Sequence, residues 1–312
     1  MTQIIPSLDA IADRYDAVLC DVWGVLHNGR RAYPAACTAL QRFRAAGKHV
    51  ILITNVPKPR GPIPGQLDHA GVPRGAWDAI VTSGDAIRAE LALRAPGPMY
   101  KIGPDDYDRT LWEGLGLATA PLSSAKFFAI SGLNRDDETP EDYADTLREA
   151  RGRNLDLICA NPDIVVQHGD RMIWCAGAIA RDYEALGGKV IMAGKPFAPI
   201  YELAYRELET VAVKGIEKSR ILAIGDGVPT DVAGATTQGL DCLFIASGMH
   251  GEALWTNGAI DAAKVDAALA QGAEVRVGRQ ARGLALCGVG LLRDDRELLV
   301  LARDVVAEHR RG

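Results

Sequence analysis

The sequence predicts an α/β fold built on parallel β-strands. Over most of the 312 residues, short apolar runs typical of buried strands alternate with longer runs typical of helices. The hydrophobic fraction is 48%, which is ample for a core, and the charged fraction of 24% lies near the globular average. A chain of this length accommodates one large domain or two.

The first third of the chain predicts three strands and two helices. Pro34 lies in the first turn of the first predicted helix, and Gly47 follows its last residue. Proline is common at the start of helices and glycine is common just after their end. Ser83 is the predicted cap of the second helix. The predicted strands are residues 16–21, 48–54 and 78–82, and the predicted helices are residues 34–46 and 83–94.

A break at residues 95–98 (APGP) predicts the start of a second α/β module. Within it, Thr139 and Asp142 form a predicted capping box. The later predicted strands are residues 99–102, 126–130, 155–159, 165–167, 190–193, 221–224 and 241–246, with helices at 177–186 and 198–213. We therefore expect three parts: residues 1–95, an inserted module at 96–189, and residues 190–312, whose tail from 276 has no predicted role.

Polar side chains follow four of the predicted parallel strands. These residues are Asp21, Thr54, Lys195 and Asp226, and Asp231 lies five residues beyond the last. The carboxyl ends of parallel strands converge on one crevice, so residues distant in sequence can meet there. Carboxylates near a lysine suit a hard divalent cation and an anionic substrate, and a threonine hydroxyl can donate to a phosphate oxygen. The pattern predicts a metal-dependent site for a phosphorylated ligand.

Four segments carry a family resemblance in their order and spacing: residues 21–26 (DVWGVL), 51–55 (ILITN), 193–196 (AGKP) and 225–231 (GDGVPTD). Together with residues 82–84 (TSG) and 160–163 (ANPD), they resemble the haloacid dehalogenase superfamily, specifically the class IIA phosphatases. The similarity spans roughly residues 16–255. It implies a doubly wound, Rossmann-like parallel sheet as the core, with an inserted α/β cap domain at 96–189.

The resemblance also implies a role for each motif residue. Asp21 would be the nucleophile that forms an aspartyl-phosphate, and Mg²⁺ would be held by Asp21, Asp226 and the backbone carbonyl of Trp23. Lys195 would neutralise charge on the phosphate, with Asp231 orienting the lysine or a metal-bound water. Thr54 would be the third catalytic residue, cradling the transferring phosphoryl group. The implied substrate-binding residues are Asn55, Trp23, Asn161 and Asp163, although Asn-Pro-Asp is also ordinary turn chemistry.

Trp23 departs from the family pattern, because related phosphatases have there an aspartate that protonates the leaving alcohol. An indole N–H does not exchange a proton near pH 7, and loss of a general acid typically costs about 10²–10⁴ in rate. Three alternatives follow: a substrate with a good leaving group, a replacement acid among His27, Asp163 and His168, or a protein that binds a phosphorylated ligand with little turnover.

A metal-independent 2-haloacid dehalogenase is the rival enzyme, because those relatives also carry an aromatic residue at this position. Against it, Asp226 and Asp231 are retained beside the nucleophile, and like charges repel unless a cation separates them. The phosphatase hypothesis is therefore favoured.

Composition excludes several other classes of partner. A net charge of −5 without any sustained basic run argues against nucleic acid, and the apolar runs fall short of the roughly 20 residues that span a bilayer. Six scattered cysteines without a C-x-x-C pair, and no basic leader before an apolar stretch, indicate a cytoplasmic protein. The expected partner is a small phosphorylated substrate. The resemblance also admits a homodimer, since cap-mediated dimers are common in that class.

Overall fold

The computed structural model describes residues 3–169, 171–248, 251–257, 259–270 and 298–301. Among these residues, the strands form two parallel sheets and two short antiparallel pairs. Of the tail from residue 276, for which the sequence predicts no role, the structure describes only residues 298–301.

The larger sheet contains seven of the described strands, and every neighbouring pair is parallel. The strand order is β1-β15-β12-β11-β2-β3-β4, so the chain winds from β2 to one side and from β11 to the other. This confirms the predicted doubly wound sheet. The strands are β1 (Gln3–Ile5), β2 (Ala17–Cys20), β3 (His49–Thr54), β4 (Ala79–Thr82), β11 (Ile221–Gly225), β12 (Asp241–Ile245) and β15 (Leu298–Leu301).

Both faces of the larger sheet are buried, which explains its almost continuously apolar strands. Alternate residues of β2 enter different cores: Leu19 packs in one with Ile200, and Val18 in the other with Leu40. The helices associated with this sheet are α1 (Pro34–Ala45), α2 (Ile63–Ala70), α3 (Ser83–Ala92), α7 (Ala198–Val211) and α8 (Ala233–Gln238). The cap of α3 is Thr82 rather than Ser83, because the Thr82 hydroxyl accepts from the Asp85 N–H.

The smaller sheet has four described strands in the order β10-β7-β6-β5, again parallel. A third core lies against it, in which Phe128 meets Tyr183 edge to face with ring centroids 4.9 Å apart. The strands are β5 (Met99–Ile102), β6 (Phe127–Ile130), β7 (Asp156–Cys159) and β10 (Lys189–Met192), and the helices are α4 (Asp105–Trp112), α5 (Ala144–Gly152) and α6 (Ala176–Ala185).

The antiparallel pairs are a hairpin and a short ribbon. The hairpin joins β8 (Val165–His168) to β9 (Arg171–Trp174), and the ribbon joins β13 (Trp255–Thr256) to β14 (Ala259–Ile260).

No helix within the described part of the chain is long and apolar enough to cross a membrane. The five described cysteines are buried and form no disulfide.

One predicted strand belongs to a different sheet from the one expected. Residues 190–193 were expected to open the second part of the core, but β10 pairs with β7 and completes the smaller sheet. A four-residue apolar run has the same appearance in either sheet, because its pairing partner is set by tertiary contacts. The last four described residues, β15, occupy the larger sheet between β1 and β12.

Candidate active site

Asp21 and Asp226 follow two adjacent strands, β2 and β11. The chain adds its later strands on opposite sides of this pair, so the strand order reverses here. β2 and β11 are hydrogen-bonded neighbours, and the Asp21 N–H donates to the Ile224 carbonyl at 2.8 Å. The two carboxylates are 6% and 5% exposed. Ligands of open α/β sheets bind at such a switch point, outside the carboxyl ends of the strands.

Thr54 is the last residue of β3 and Asn55 follows it directly, on the other side of Asp21. Both are buried, and the Thr54 hydroxyl accepts a hydrogen bond of 3.3 Å from the Val56 N–H. That bond uses a lone pair of the hydroxyl and leaves its hydrogen available to donate. The hydroxyl can therefore donate to an anionic ligand.

Lys195 reaches the same place from the smaller sheet. Its Nζ donates to Asp21 Oδ1 and, at 2.7 Å, to Asp231 Oδ1. Asn55 holds the backbone of Lys195 in position: Asn55 Oδ1 accepts from the Lys195 N–H at 2.7 Å, and Asn55 Nδ2 donates to the Lys195 carbonyl at 3.2 Å. The two sheets are thus joined at the site.

Asp231 lies on the turn Val228–Val232, just beyond Asp226. Its Oδ2 accepts from the Gly227 N–H at 3.0 Å, while its Oδ1 faces Lys195. A Cβ at residue 225 would stand 2.1 Å from Asp231 Cγ, so Gly225 permits this close approach. The carboxylate is fixed on both oxygens and orients the lysine.

Three carboxylates converge within coordinating distance of one another. Ligand oxygens of Asp21, Asp226 and Asp231 all lie within 4.8 Å, and all three residues are buried. Burial raises the pKa of Asp21 well above its ordinary value; Lys195 opposes this, while Asp231 and Asp226 raise the pKa further. A buried group of hard oxygen donors with excess negative charge fits a divalent cation such as Mg²⁺.

The ammonium of Lys195 is stabilised by the surrounding acids. Burial alone would lower the pKa of Lys195, but the carboxylates of Asp21, Asp231 and Asp163 raise it well above its ordinary value. The lysine therefore carries a full positive charge at neutral pH, beside the Asp21 carboxylate.

Asp163 and Asn161 bring the loop after β7 to the site. Asp163 Oδ1 accepts from Asn55 Nδ2 at 2.8 Å, and burial raises the pKa of Asp163. Asn161 Oδ1 accepts from the Asp163 N–H at 3.0 Å, which is the turn expected of Asn-Pro-Asp. Asp163 thus contacts the site through Asn55, whereas the Asn161 oxygen is engaged in the turn.

Trp23 lies in an aromatic contact between the segment after β2 and the β8–β9 hairpin. Its ring meets His27 at 4.9 Å and His168 at 6.0 Å between centroids, both in edge-to-face geometry. Gly29 makes this contact possible, because a Cβ there would stand 2.5 Å from Trp23 Cζ3 and 2.6 Å from His168 Cδ2.

The imidazole of His27 is buried and uncharged near pH 7. It is 5% exposed, its Nδ1 accepts from the Gly29 N–H at 2.9 Å, and burial together with His168 lowers its pKa to about 4. The imidazole is therefore neutral near pH 7 and has no acidic proton to give.

All of these side chains line one cleft of about 1030 Å³. The cleft also contains a residue that the sequence did not indicate, Asp108, which is 2% exposed and lies on α4. No motif marks this aspartate, and its burial results from packing between distant segments.

Comparison with known proteins agrees with this geometry. A sequence model described as haloacid dehalogenase-like hydrolase matches residues 18–117, and a second, described as HAD-hydrolase-like, matches residues 192–271. A crystal structure of a hydrolase of the haloacid dehalogenase-like family from Brucella suis is 47% identical, covers 83% of this chain and 96% of that chain, and superposes with a TM-score of 0.77. The chain belongs to the haloacid dehalogenase-like hydrolases.

More distant members of this family have named activities. A glycerol-3-phosphate phosphatase from Gallus gallus is 28% identical over 272 residues, covering 77% of this chain and 82% of the relative. The structure of a glycerol phosphate phosphatase from Mycobacterium tuberculosis, solved in complex with magnesium, is 20% identical, covers 79% of this chain and 73% of that chain, and gives a TM-score of 0.58. The predicted family membership is confirmed.

Proposed function

We propose that this hydrolase is an Mg²⁺-dependent phosphatase of small-molecule phosphate monoesters, with Asp21 as its nucleophile. The observation that carries the proposal is the cluster in which Lys195 is bonded to both Asp21 and Asp231 while three carboxylates converge within 4.8 Å. A nucleophile, a fixed positive charge and cation ligands in one place are the requirements of phosphoryl transfer. The named activity of the Gallus gallus relative supports a small phosphorylated substrate.

The residues divide the first step among them. Asp21 and Asp226, with the backbone carbonyl of Trp23, would hold the cation, which when bound neutralises charge on the phosphoryl group. An Asp21 carboxylate oxygen attacks phosphorus, the bond from phosphorus to the leaving-group oxygen breaks, and the leaving group departs as its anion. The hydroxyl of Thr54 and the backbone N–H of Asn55 donate to the phosphoryl oxygens, and Lys195 stabilises their charge.

The second step regenerates the carboxylate. Water attacks phosphorus, the bond between phosphorus and the Asp21 oxygen breaks, and both protons of the water leave with the product as dihydrogen phosphate. Asp231 keeps Lys195 in place throughout, because it accepts from Nζ at 2.7 Å and is itself fixed by the Gly227 N–H.

The substrate must tolerate the loss of a built-in acid. Trp23 exchanges no proton near pH 7, and burial together with His168 lowers the pKa of His27 to about 4. Asp163, whose pKa is raised by burial, is bonded to Asn55 and contacts the site only through it. Leaving groups that depart without a proton are therefore favoured, which points to aryl and acyl phosphates rather than alkyl phosphates.

The first test is phosphate release from p-nitrophenyl phosphate and acetyl phosphate, with Mg²⁺ and with a chelator. We expect metal-dependent release that is abolished by Asp21→Asn and retained by Asp136→Asn, because Asp136 is an exposed carboxylate on the same cleft. If Asp21→Asn released phosphate as fast as wild type, Asp21 would not be the nucleophile. Tight binding of these phosphates without any release would indicate a phospho-ligand-binding protein.

The rival dehalogenase hypothesis rests on Trp23, the aromatic residue two positions after the nucleophile. Its test is halide release from 2-chloropropionate in the presence of a chelator. We expect none, because without a cation the three clustered carboxylates would oppose binding of another anion. Chelator-resistant halide release would favour the dehalogenase instead.

A further inference from the structure

His27 lies beside the catalytic cluster because the chain folds back directly after Asp21. The His27 N–H donates to the Val22 carbonyl at 3.4 Å, and the Gly24 N–H donates to the His27 carbonyl at 2.9 Å. These bonds pair the backbone of His27 with that of Trp23. The imidazole is thereby brought against the indole of Trp23, with the ring centroids 4.9 Å apart.

A hydrogen bond to the imidazole fixes the position of its proton. Nδ1 of His27 accepts from the Gly29 N–H at 2.9 Å, so Nδ1 carries no hydrogen. The hydrogen of the uncharged ring is therefore on Nε2, which makes Nε2 a donor. Among the described residues, Nε2 has no hydrogen-bond partner.

The unpaired Nε2 donor is buried but not sealed off from the cleft. His27 is 5% exposed and lines the same cleft as Asp21. Nε2 is not among the unpaired polar atoms that lack accessible surface. His27 and Thr54 also line a small cavity next to the cleft, so the imidazole lies near the hydroxyl proposed to bind the phosphoryl group. A buried donor without a partner is unfavourable, and a ligand oxygen would satisfy it.

The other donors of the site are assigned to the phosphoryl oxygens. Thr54, Asn55 and Lys195 contact these oxygens in the proposed mechanism, and the cation would neutralise their charge. The leaving-group oxygen has no donor among these groups, although negative charge develops on it as its bond to phosphorus breaks. An uncharged N–H donor beside the nucleophile fits this oxygen.

We propose that the neutral imidazole of His27 is a catalytic group whose Nε2–H donates a hydrogen bond to the leaving-group oxygen. The bond strengthens as that oxygen becomes an anion, and the imidazole keeps its proton throughout. The leaving group departs as its anion and takes a proton from water afterwards. The inference rests on the proposed phosphatase function and deepens it, because it gives the leaving-group oxygen a donor without a general acid.

The test measures how the rate depends on the acidity of the leaving group. kcat/KM is determined with Mg²⁺ at pH 7 for 4-nitrophenyl, 4-cyanophenyl, phenyl and 4-methoxyphenyl phosphate, whose phenols become less acidic in that order. His27→Asn keeps an amide near the position of Nδ1 but no donor near that of Nε2. Its loss should grow from less than about twofold for the nitrophenyl ester to about 10- to 100-fold for the methoxyphenyl ester.

Two further variants separate the donor from the fold. His27→Gln carries an amide N–H near the position of Nε2 and should recover most of the loss on the methoxyphenyl ester. His69→Asn is the matched control, because His69 is an exposed histidine on the same cleft, and it should keep the wild-type dependence. A loss of the same size for all four esters in His27→Asn, or no loss for any, would overturn the inference.

A crystal structure of Asp21→Asn with Mg²⁺ and phenyl phosphate is a second test that keeps His27 intact. It should place Nε2 about 2.7–3.2 Å from the ester oxygen. An ordered water on Nε2, with the ester oxygen beyond hydrogen-bond distance, would contradict the proposal. Failure of the proposed function is seen separately, as wild-type protein that releases no phosphate from any of the four esters.

Discussion

The backbone N–H of Lys195 donates a hydrogen bond of 2.7 Å to the side-chain oxygen of Asn55. This bond joins the loop after β10, in the smaller sheet, to the loop after β3, in the larger sheet. This contact explains how Lys195, which follows β10 of the smaller sheet, reaches the carboxylate of Asp21, which follows β2 of the larger sheet. The position of Lys195 therefore depends on contact between the two sheets.

Replacing Asn55 with alanine should lower kcat by about 10- to 100-fold, because a misplaced catalytic group costs rate steeply. The measurement is p-nitrophenyl phosphate turnover together with the melting temperature. Asn134→Ala is the matched control, since Asn134 Oδ1 also accepts a backbone N–H, that of Gly103, at 2.9 Å. We expect both variants to lose a similar amount of melting temperature, but only Asn134→Ala to keep the wild-type turnover. Equal turnover in the two variants would contradict a role for Asn55 in positioning Lys195.

Replacing Gly24 with alanine should weaken cation binding. A Cβ at this position would stand 1.9 Å from Asp226 Oδ2, so the carboxylate must move. We expect the Mg²⁺ concentration for half-maximal activity to rise by about tenfold or more, the effect of about 1.4 kcal/mol. Gly47→Ala controls for backbone strain, because Gly47 has a similar φ of +78° with nothing within 4 Å. An identical Mg²⁺ requirement in both variants would argue against Asp226 as a ligand.

Replacing Trp23 with aspartate should introduce a proton donor beside the leaving group. Turnover of an alkyl phosphate such as glycerol 3-phosphate is expected to rise by up to about 10²–10⁴, with little gain on acetyl phosphate. Trp23→Asn is the matched control, because an asparagine side chain has the same size as an aspartate side chain but cannot exchange a proton. Both variants lose the aromatic contacts with His27 and His168, so their melting temperatures should fall alike. Equal alkyl phosphate turnover in the two variants would show that proton transfer does not limit the rate.

His27 should destabilise the folded protein in acid. Its folded pKa is about 4 against 6.5 for an ordinary histidine, so the unfolded chain binds the extra proton first. The contribution of the neutral imidazole to the free energy of unfolding is therefore complete above pH 6.5. As the pH falls from 6.5 toward 4, the free energy of unfolding decreases by about 3 kcal/mol. Denaturant unfolding of wild type and His27→Asn checks this, and the variant should show a shallower decline between these limits. Parallel pH profiles would exclude a buried neutral imidazole.

Much of the site could be predicted from local sequence. Asp21, Thr54 and Asp226 each end an apolar run, and the parallel topology that brings strand ends together follows from alternating strand and helix patterns. The structure brings these residues together with Lys195 and Asp231 in one cleft.

The remainder depends on tertiary contacts that no local pattern encodes. The sequence predicts residues 190–193 as the start of the second part of the core, whereas β10 pairs with β7 in the smaller sheet, because an apolar run does not specify its pairing partner. The lowered pKa of His27 results from its burial and from His168 on the β8–β9 hairpin, neither of which the local sequence reveals. Asp108 has no motif, and the closeness of Ser131 to it results from packing between separate segments.

The most direct test of the account is to trap the phosphorylated enzyme. Wild type is mixed with acetyl phosphate and Mg²⁺, quenched in acid within one turnover, and digested for mass spectrometry. We predict one added phosphoryl group on the peptide that contains Asp21, and none in Asp21→Asn. Phosphate release by wild type with no phosphoryl group on that peptide, or with the group on another residue, would contradict the assignment of Asp21 as nucleophile.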